Sequence, residues 1–185
     1  MAEMKKEELR RNFQRLKEFI EETDLTAEIL EENPAIPADS LLIGLPSDNP
    51  EEGVVRYLVM NHIPVKDEIS PYTYYFHLLL EIPMEIAGLK PETVLLAINA
   101  VNAVINVGHF VYTREGDEKA RVQLRYTMAV DIEEMLMGSV LYECVDFMLS
   151  SGTMMEEILA GIEAEMPLEE ILMAEGIERG SFGWE

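Results

Sequence analysis

The chain opens on an amphipathic pattern. In residues 5–22, apolar side chains recur every three or four positions, and Lys, Arg and Glu occupy most positions between them; the apolar positions are Leu9, Phe13, Leu16 and Ile20. This spacing predicts a helix with one apolar face, which we take as the candidate surface for binding a partner protein. A second helical piece is predicted at Thr26–Glu32. It should end at the prolines of residues 33–37, because proline does not continue a helix.

Three strands are predicted next, at Leu41–Leu45, Val54–His62 and Tyr74–Ile82. The third alternates with a period of two, and one of its faces is formed by Tyr74, Phe76, Leu78, Leu80 and Ile82. Because successive side chains of a strand point to opposite faces, this pattern is typical of an antiparallel sheet with one face in water.

The pattern then predicts a helix at Pro91–Val107. Pro91 suits the first helical position and Gly108 suits the end. The helix is apolar on nearly all sides, so it has to be covered on nearly all sides. One face can pack on the sheet, and the other meets either another helix of this chain or a second copy of it; the two alternatives are about equal. If a second copy covers it, the predicted contacts are Val94, Ala97, Ile98, Val101, Asn102 and Ile105.

The remaining pattern predicts a hairpin followed by helices. The elements are strands His109–Thr113 and Arg121–Val130, a helix Ile132–Leu149, a further helix Met154–Glu163 and a short piece from Pro167 to Glu175. Thr153 and Glu156 fit a capping box, which marks the start of the second helix.

These elements predict an α+β fold with a five-stranded antiparallel sheet and helices packed on one face, in the order α-β-β-β-α-β-β-α plus a C-terminal helical extension. We expect residues 1–150 to form the main domain. Residues 151–185 are expected to form an acidic helical extension, either part of that domain or flexible.

The charge of the chain narrows the choice of partners. Its 185 residues have 14 Lys and Arg against 36 Asp and Glu, a net charge of -22. Such a chain repels nucleic acid and anionic membrane surfaces, so neutral or basic protein partners are expected. Cys144 is the single cysteine, no secretory signal pattern is found at the N-terminus, and no apolar run is long enough for a membrane span. These features predict a cytoplasmic protein.

Candidate catalytic chemistry is sparse. His62, His77 and His109 lie in or beside predicted strands, without a second His or Cys at metal-ligand spacing. Cys144 lies in an acidic stretch, where carboxylates raise a thiol's pKa, so it is interpreted as a structural residue. No nucleophile elbow or phosphate-binding loop is present in the sequence. We therefore assign no catalytic, metal-binding or cofactor-binding residues, and we expect a protein that is not an enzyme.

The chain resembles the YbjN family, within the type III secretion chaperone-like (Tir chaperone, CesT) fold superfamily, over about residues 10–150. The segments that carry the resemblance are Arg56–Val59, Phe76–Pro83, Ala97–Asn102, Gly108–Tyr112, Arg121–Val130 and Tyr142–Asp146.

The resemblance implies a small acidic protein without enzymatic activity, usually a homodimer. Secretion chaperones present apolar strand and helix surfaces to an extended client, whereas YbjN members are described as sensory transduction regulators. We therefore expect a chaperone-like module that binds a client or partner protein as a homodimer, and the alternative is a regulatory or ligand-sensing domain. The extension after Ser150 departs from the family pattern, and Met154, Met155, Ile158 and Leu159 could cover the client surface.

Overall fold

A computed structural model describes residues 2–23, 25–34, 38–45, 56–63, 73–116, 119–131 and 136–178. Within these ranges the fold is α+β, with an antiparallel six-stranded open sheet and four helices. In chain order the elements are α1 (Ala2–Glu21), β1 (Thr26–Leu30), β2 (Ser40–Leu45), β3 (Arg56–Ile63), β4 (Thr73–Glu81), α2 (Pro91–Asn102), β5 (His109–Glu115), β6 (Lys119–Asp131), α3 (Gly138–Glu163) and α4 (Leu168–Ala174). The strand order across the sheet is β1-β2-β3-β4-β6-β5.

The predicted helix at Thr26–Glu32 is wrong, and this accounts for the sixth strand. The segment forms β1, which pairs antiparallel with β2 and places Ala27 opposite Ile43 and Ile29 opposite Leu41. The local spacing of apolar residues suits a helix, but pairing with a strand far along the chain decides the conformation.

Two compact units are distinguished along the chain. The first unit comprises Met1–Leu79 and Tyr126–Asp146, and the second comprises Leu80–Arg125 and Phe147–Glu185. Each unit combines segments from both halves of the sequence.

In the first unit, α1 packs its apolar face on β1 and β2. Phe13 is fully buried, with its ring centroid 6.0 Å from that of Phe76. Asp39, just before β2, is buried and accepts hydrogen bonds from the Arg10 Nε at 3.0 Å and from the Glu32 backbone N–H at 2.7 Å. The hydrogen bond and the negative charge of Asp39 raise the pKa of Arg10. Asp39 thus ties α1 to the segment that connects β1 and β2.

In the second unit, α2 packs on β5 and on α4. Pro91 begins the helix, as predicted. The helix ends at Asn102 instead of Val107, and the chain reverses at Gly108, whose φ of 79° suits glycine. A Cβ there would lie 2.8 Å from the Arg125 carbonyl oxygen, so this tight turn into β5 favours glycine for a second reason.

α3 is one continuous helix, whereas the sequence predicted two helices separated by a break at residues 150–153. Gly152 lies inside it, and a Cβ at this position would be 2.8 Å from Leu80 Cδ2. The glycine therefore permits close packing of α3 on β4 and does not mark a helix end. Residues 132–135, where the predicted helix was to begin, lie outside the described residues.

Candidate binding surfaces

The predicted partner-binding face of α1 is part of the protein core. Leu9 is 9% exposed, and Phe13, Leu16 and Ile20 are at most 1% exposed. The pattern predicted the apolar face of this helix, but the chain's own sheet covers it. These side chains are therefore not on the surface of the chain.

The predicted contact stripe of α2 is also largely internal. Val94, Ala97, Ile98 and Val101 are at most 4% exposed, and Asn102 and Ile105 are half-buried. The chain itself covers this side of the helix, which is the intrachain alternative left open by the pattern. A contact with a second copy would have to use the other side of α2.

Asn102 has a specific role within the chain. Its Nδ2 donates to the Phe110 carbonyl oxygen at 3.1 Å, and its Oδ1 accepts from the Phe110 N–H at 2.7 Å. The amide therefore binds both backbone groups of one residue of β5, as a neighbouring strand would. This pair of hydrogen bonds joins the end of α2 to the start of β5.

The other side of α2 is apolar and exposed. Leu95 is 44% exposed and Leu96 is 40% exposed, and Val104, just after the helix, is 37% exposed. Asn99 and Ala103 lie on the same side at helical spacing and are exposed. The twenty-one residues 93–113 contain no Asp, Glu, Lys or Arg. We call Leu95, Leu96, Asn99 and Ala103 the outer face of α2.

A second surface lies on the polar side of the β5–β6 hairpin. The register places Thr113 opposite Arg121, Val111 opposite Gln123, His109 opposite Arg125 and Glu115 opposite Lys119. Because residues directly opposite in an antiparallel pair point to the same face, these eight side chains share one side of the sheet. The residues of the other side, Ala120, Val122 and Leu124, are buried.

This polar side carries a shallow pocket of about 230 Å³. It is lined by Thr113, Glu115, Lys119, Arg121, Gln123 and Arg125. Among the described residues, the lining has three cations and one carboxylate, and the Glu81 carboxylate contacts two of the lining residues. These groups leave one net positive charge at the pocket, although the whole chain has a net charge of -22.

A chain of hydrogen bonds along this side connects the pocket residues to one another and to Glu81. Glu81 Oε2 accepts from Arg121 Nη1 at 3.3 Å and from Gln123 Nε2 at 3.1 Å. Gln123 Oε1 in turn accepts from Arg125 Nη2 at 2.7 Å. The Nε of Arg125 is buried and has no acceptor among the described residues.

Sequence reasoning identified neither surface. Arg121, Gln123 and Arg125 lie in a predicted strand, but their combination with Lys119 was not recognised. The signal was present, because three of the chain's 14 bases lie within the seven residues 119–125. For the outer face of α2, the signal was the Leu95-Leu96 pair inside a long uncharged stretch.

The histidines and the cysteine do not form a reactive cluster. The ring of His62 is 5.5 Å from Tyr74 and 6.1 Å from Phe76 in edge-on contacts, and His109 is exposed. Cys144 is half-buried, and burial together with the charge of Glu143 raises the pKa of its thiol. This direction suits an unreactive thiol at neutral pH. In the part of the chain that the structure describes, no three His, Cys, Asp or Glu side chains are grouped as metal ligands would be.

Two carboxylates meet near the C-terminal end of the second unit. Burial, followed by a hydrogen bond and repulsion from Glu157, raises the pKa of Glu175. Glu157 lies on α3, and Glu175 directly follows α4. The pair therefore makes the contact between these segments sensitive to protonation.

None of the described helices has both the length and the apolar character needed to cross a membrane. Comparison with known proteins gives no match to any family model, curated protein or solved structure. The resemblance to the YbjN family consequently stays a prediction, and the function is argued from the surfaces described above.

Proposed function

We propose that this chain is a non-enzymatic, chaperone-like protein-binding module that engages a client or partner protein as a homodimer. The observation that carries the proposal is the outer face of α2, an exposed apolar surface inside an uncharged stretch of 21 residues. Contiguous exposed apolar surface often marks a site of protein association.

The lack of charge on the outer face makes it a part of the chain where a second acidic copy meets little repulsion. Two chains of net charge -22 repel one another wherever acidic surfaces approach. The outer face of α2 brings no charged side chain of residues 93–113 into the contact. A two-fold contact uses the same patch on both copies, so Leu95 and Leu96 of each copy would be buried against those of the other.

The oligomeric state tests this part of the proposal. Leu96→Glu places an acidic side chain on the outer face, and light scattering should then give the mass of one chain, 21.0 kDa, against about twice that mass for the wild type. Val140→Glu is the matched control, because Val140 is 43% exposed on α3 and Leu96 is 40% exposed on α2. The control should remain dimeric. A monomeric wild type, or a dimer that survives Leu96→Glu, contradicts the assignment.

Client binding is tested separately, with denatured proteins of opposite charge. We expect the purified chain to suppress aggregation of a basic denatured client more strongly than that of an acidic client of similar length, because its net charge is -22. Equal suppression of both clients would remove charge as the basis of selection. No suppression of either client would refute the chaperone-like function, whatever the oligomeric state.

The alternative function is a regulatory or ligand-sensing domain. The observation that favours it is the positive pocket of the β5–β6 hairpin, because a binding site needs a concave surface with a few converging polar groups. Saturable binding of a small molecule there would support this alternative.

A further inference from the structure

We propose that the pocket of the β5–β6 hairpin binds the phosphate or carboxylate group of a small molecule, with Arg125 as its main ligand and Arg121 and Lys119 beside it. This inference rests on the ligand-sensing alternative and is independent of dimerisation through α2. It names the chemical class of ligand that such a domain would sense.

The arrangement of Arg125 is the first support. Its Nη2 is held by Gln123, which is held in turn by Glu81, so the guanidinium is oriented by a chain of hydrogen bonds. Its Nε lacks an acceptor among the described residues. A guanidinium has five N–H donors in a planar fork, which matches two oxygens of a carboxylate or phosphate group. An oxyanion that displaces the groups covering this Nε would provide the acceptor that the chain does not supply.

Arg121 can join the site at little cost. It pairs with Glu81 at 3.3 Å, and the side chains of both residues are about half exposed, at 53% and 44%. Exposed ion pairs contribute little to stability. Arg121 can therefore exchange Glu81 for an oxyanion in the pocket, and Lys119 adds a third cation from the next position on the same side of β6.

The charge around the pocket decides between a small ligand and an acidic peptide. At physiological ionic strength, charges act on one another over about 8 Å, so an anion inside the pocket is attracted by the three cations and repelled by the two nearby carboxylates, Glu115 and Glu81. An acidic peptide would extend beyond the pocket over a chain of net charge -22 and would be repelled there. The volume of about 230 Å³ is also below the range of roughly 300–1,000 Å³ typical of sites for larger ligands.

Titration calorimetry of the full chain with inorganic phosphate and with succinate tests the inference. At low salt, one of the two should bind saturably, with one site per chain and a dissociation constant of about 1 mM or lower. Raising the salt concentration should weaken binding, because the contacts are ionic. The comparison of the two probes also shows whether phosphate or carboxylate is preferred.

Variants locate the site. Arg125→Gln should weaken binding at least about tenfold, because it removes a charge-assisted fork. Arg114→Gln is the matched control: it removes the same charge from the same hairpin, but Arg114 bonds to the Gly116 carbonyl oxygen and does not line the pocket. The control should bind within about twofold of the wild type. If Arg125→Gln does not fold, Lys119→Gln, at an exposed position, should weaken binding about threefold.

Three results would overturn the inference. They are the absence of saturable binding by either probe, equal losses in Arg114→Gln and Arg125→Gln, and tighter binding of a poly-glutamate peptide than of both small anions. Each can occur with the dimer and client binding intact. Failure of this inference is therefore distinguishable from failure of the proposed protein-binding function.

Discussion

Asn102→Ala should destabilise the chain through the loss of two specific hydrogen bonds. In the wild type, the amide binds both the N–H and the carbonyl oxygen of Phe110, at 2.7 and 3.1 Å. A net hydrogen bond contributes about 1 kcal/mol, and a buried group left without a partner costs up to about 3 kcal/mol. Phe110 is 3% exposed, so water has limited access to its backbone. We expect the free energy of unfolding to fall by about 2 kcal/mol.

Urea unfolding followed by circular dichroism measures this loss, and hydrogen exchange locates it. The amide of Phe110 should exchange faster in Asn102→Ala, because its acceptor is gone. Asn106→Ala is the control, because it makes the same change just after the helix and away from the outer face of α2. Asn106 is exposed, so its replacement should change the free energy of unfolding by less than about 0.5 kcal/mol. Asn102→Asp keeps an acceptor but loses the donor. Its loss in free energy of unfolding should therefore lie between those of Asn102→Ala and the control.

Two outcomes would refute the reasoning on Asn102. One is a loss no larger than that of Asn106→Ala, which would mean that the two hydrogen bonds do not stabilise the fold. The other is an unchanged free energy of unfolding with a lower oligomeric mass, which would return Asn102 to the role of an interface residue predicted from the sequence.

Three other substitutions should change stability. Asp39→Ala should lower the free energy of unfolding by about 2 kcal/mol in urea titrations, because a buried carboxylate no longer accepts a backbone N–H just after β1; no change would contradict this role. Gly138→Ala should lower the melting temperature, at a cost of about 1–3 kcal/mol, because a Cβ would overlap the ring of Phe19; a stabilised variant, the usual result of Gly→Ala in a helix, would show that the ring moves aside. The pKa of Glu175 is raised beside Glu157, so folding favours the protonated form of Glu175. The protonated side chain therefore stabilises the fold below the ordinary pKa of 4.5, and this contribution is lost as pH rises through the folded-state pKa. In urea titrations, the free energy of unfolding of Glu175→Gln should therefore be about 0.5 kcal/mol higher than that of the wild type at neutral pH and equal to it near pH 4. A constant difference in the free energy of unfolding across this range would contradict the effect.

The sequence was sufficient for the elements whose pattern agrees with their tertiary contacts. The alternation in Tyr74–Ile82 predicted β4 to within one residue at each end, and the predicted strand Arg121–Val130 lies within β6. In both strands the core face is long enough to produce a clear period of two. The α+β class follows from these strands and the flanking amphipathic helices.

Errors arose where distant contacts or close packing overruled the local pattern. β1 has helical spacing but pairs with β2. The end of α2 is set by the hydrogen bonds between Asn102 and Phe110, which no apolar pattern reveals. Thr153 and Glu156 suggested the start of a second helix, yet α3 continues through them, and Gly152 allows it to approach Leu80.

The candidate surfaces were harder to predict than the fold. Periodicity identifies which residues of α1 and α2 are apolar, but it does not say what covers them. The sheet and the neighbouring helix cover the stripes that were assigned to partners, whereas Leu95 and Leu96 stay exposed. The positive pocket depends on the register between Thr113 and Arg121, which is fixed only when the hairpin is formed.

The link between α2 and β5 has a consequence for misassembly. β5 is the last strand in the order of the sheet, and an open edge strand can template the addition of foreign strands and lead to fibrils. The Asn102 amide occupies the backbone groups of Phe110 that do not pair with β6, and Arg114 places an exposed charge further along the same strand. A side chain thereby shortens the edge available for strand addition, and we expect Asn102→Ala to aggregate more readily than the wild type.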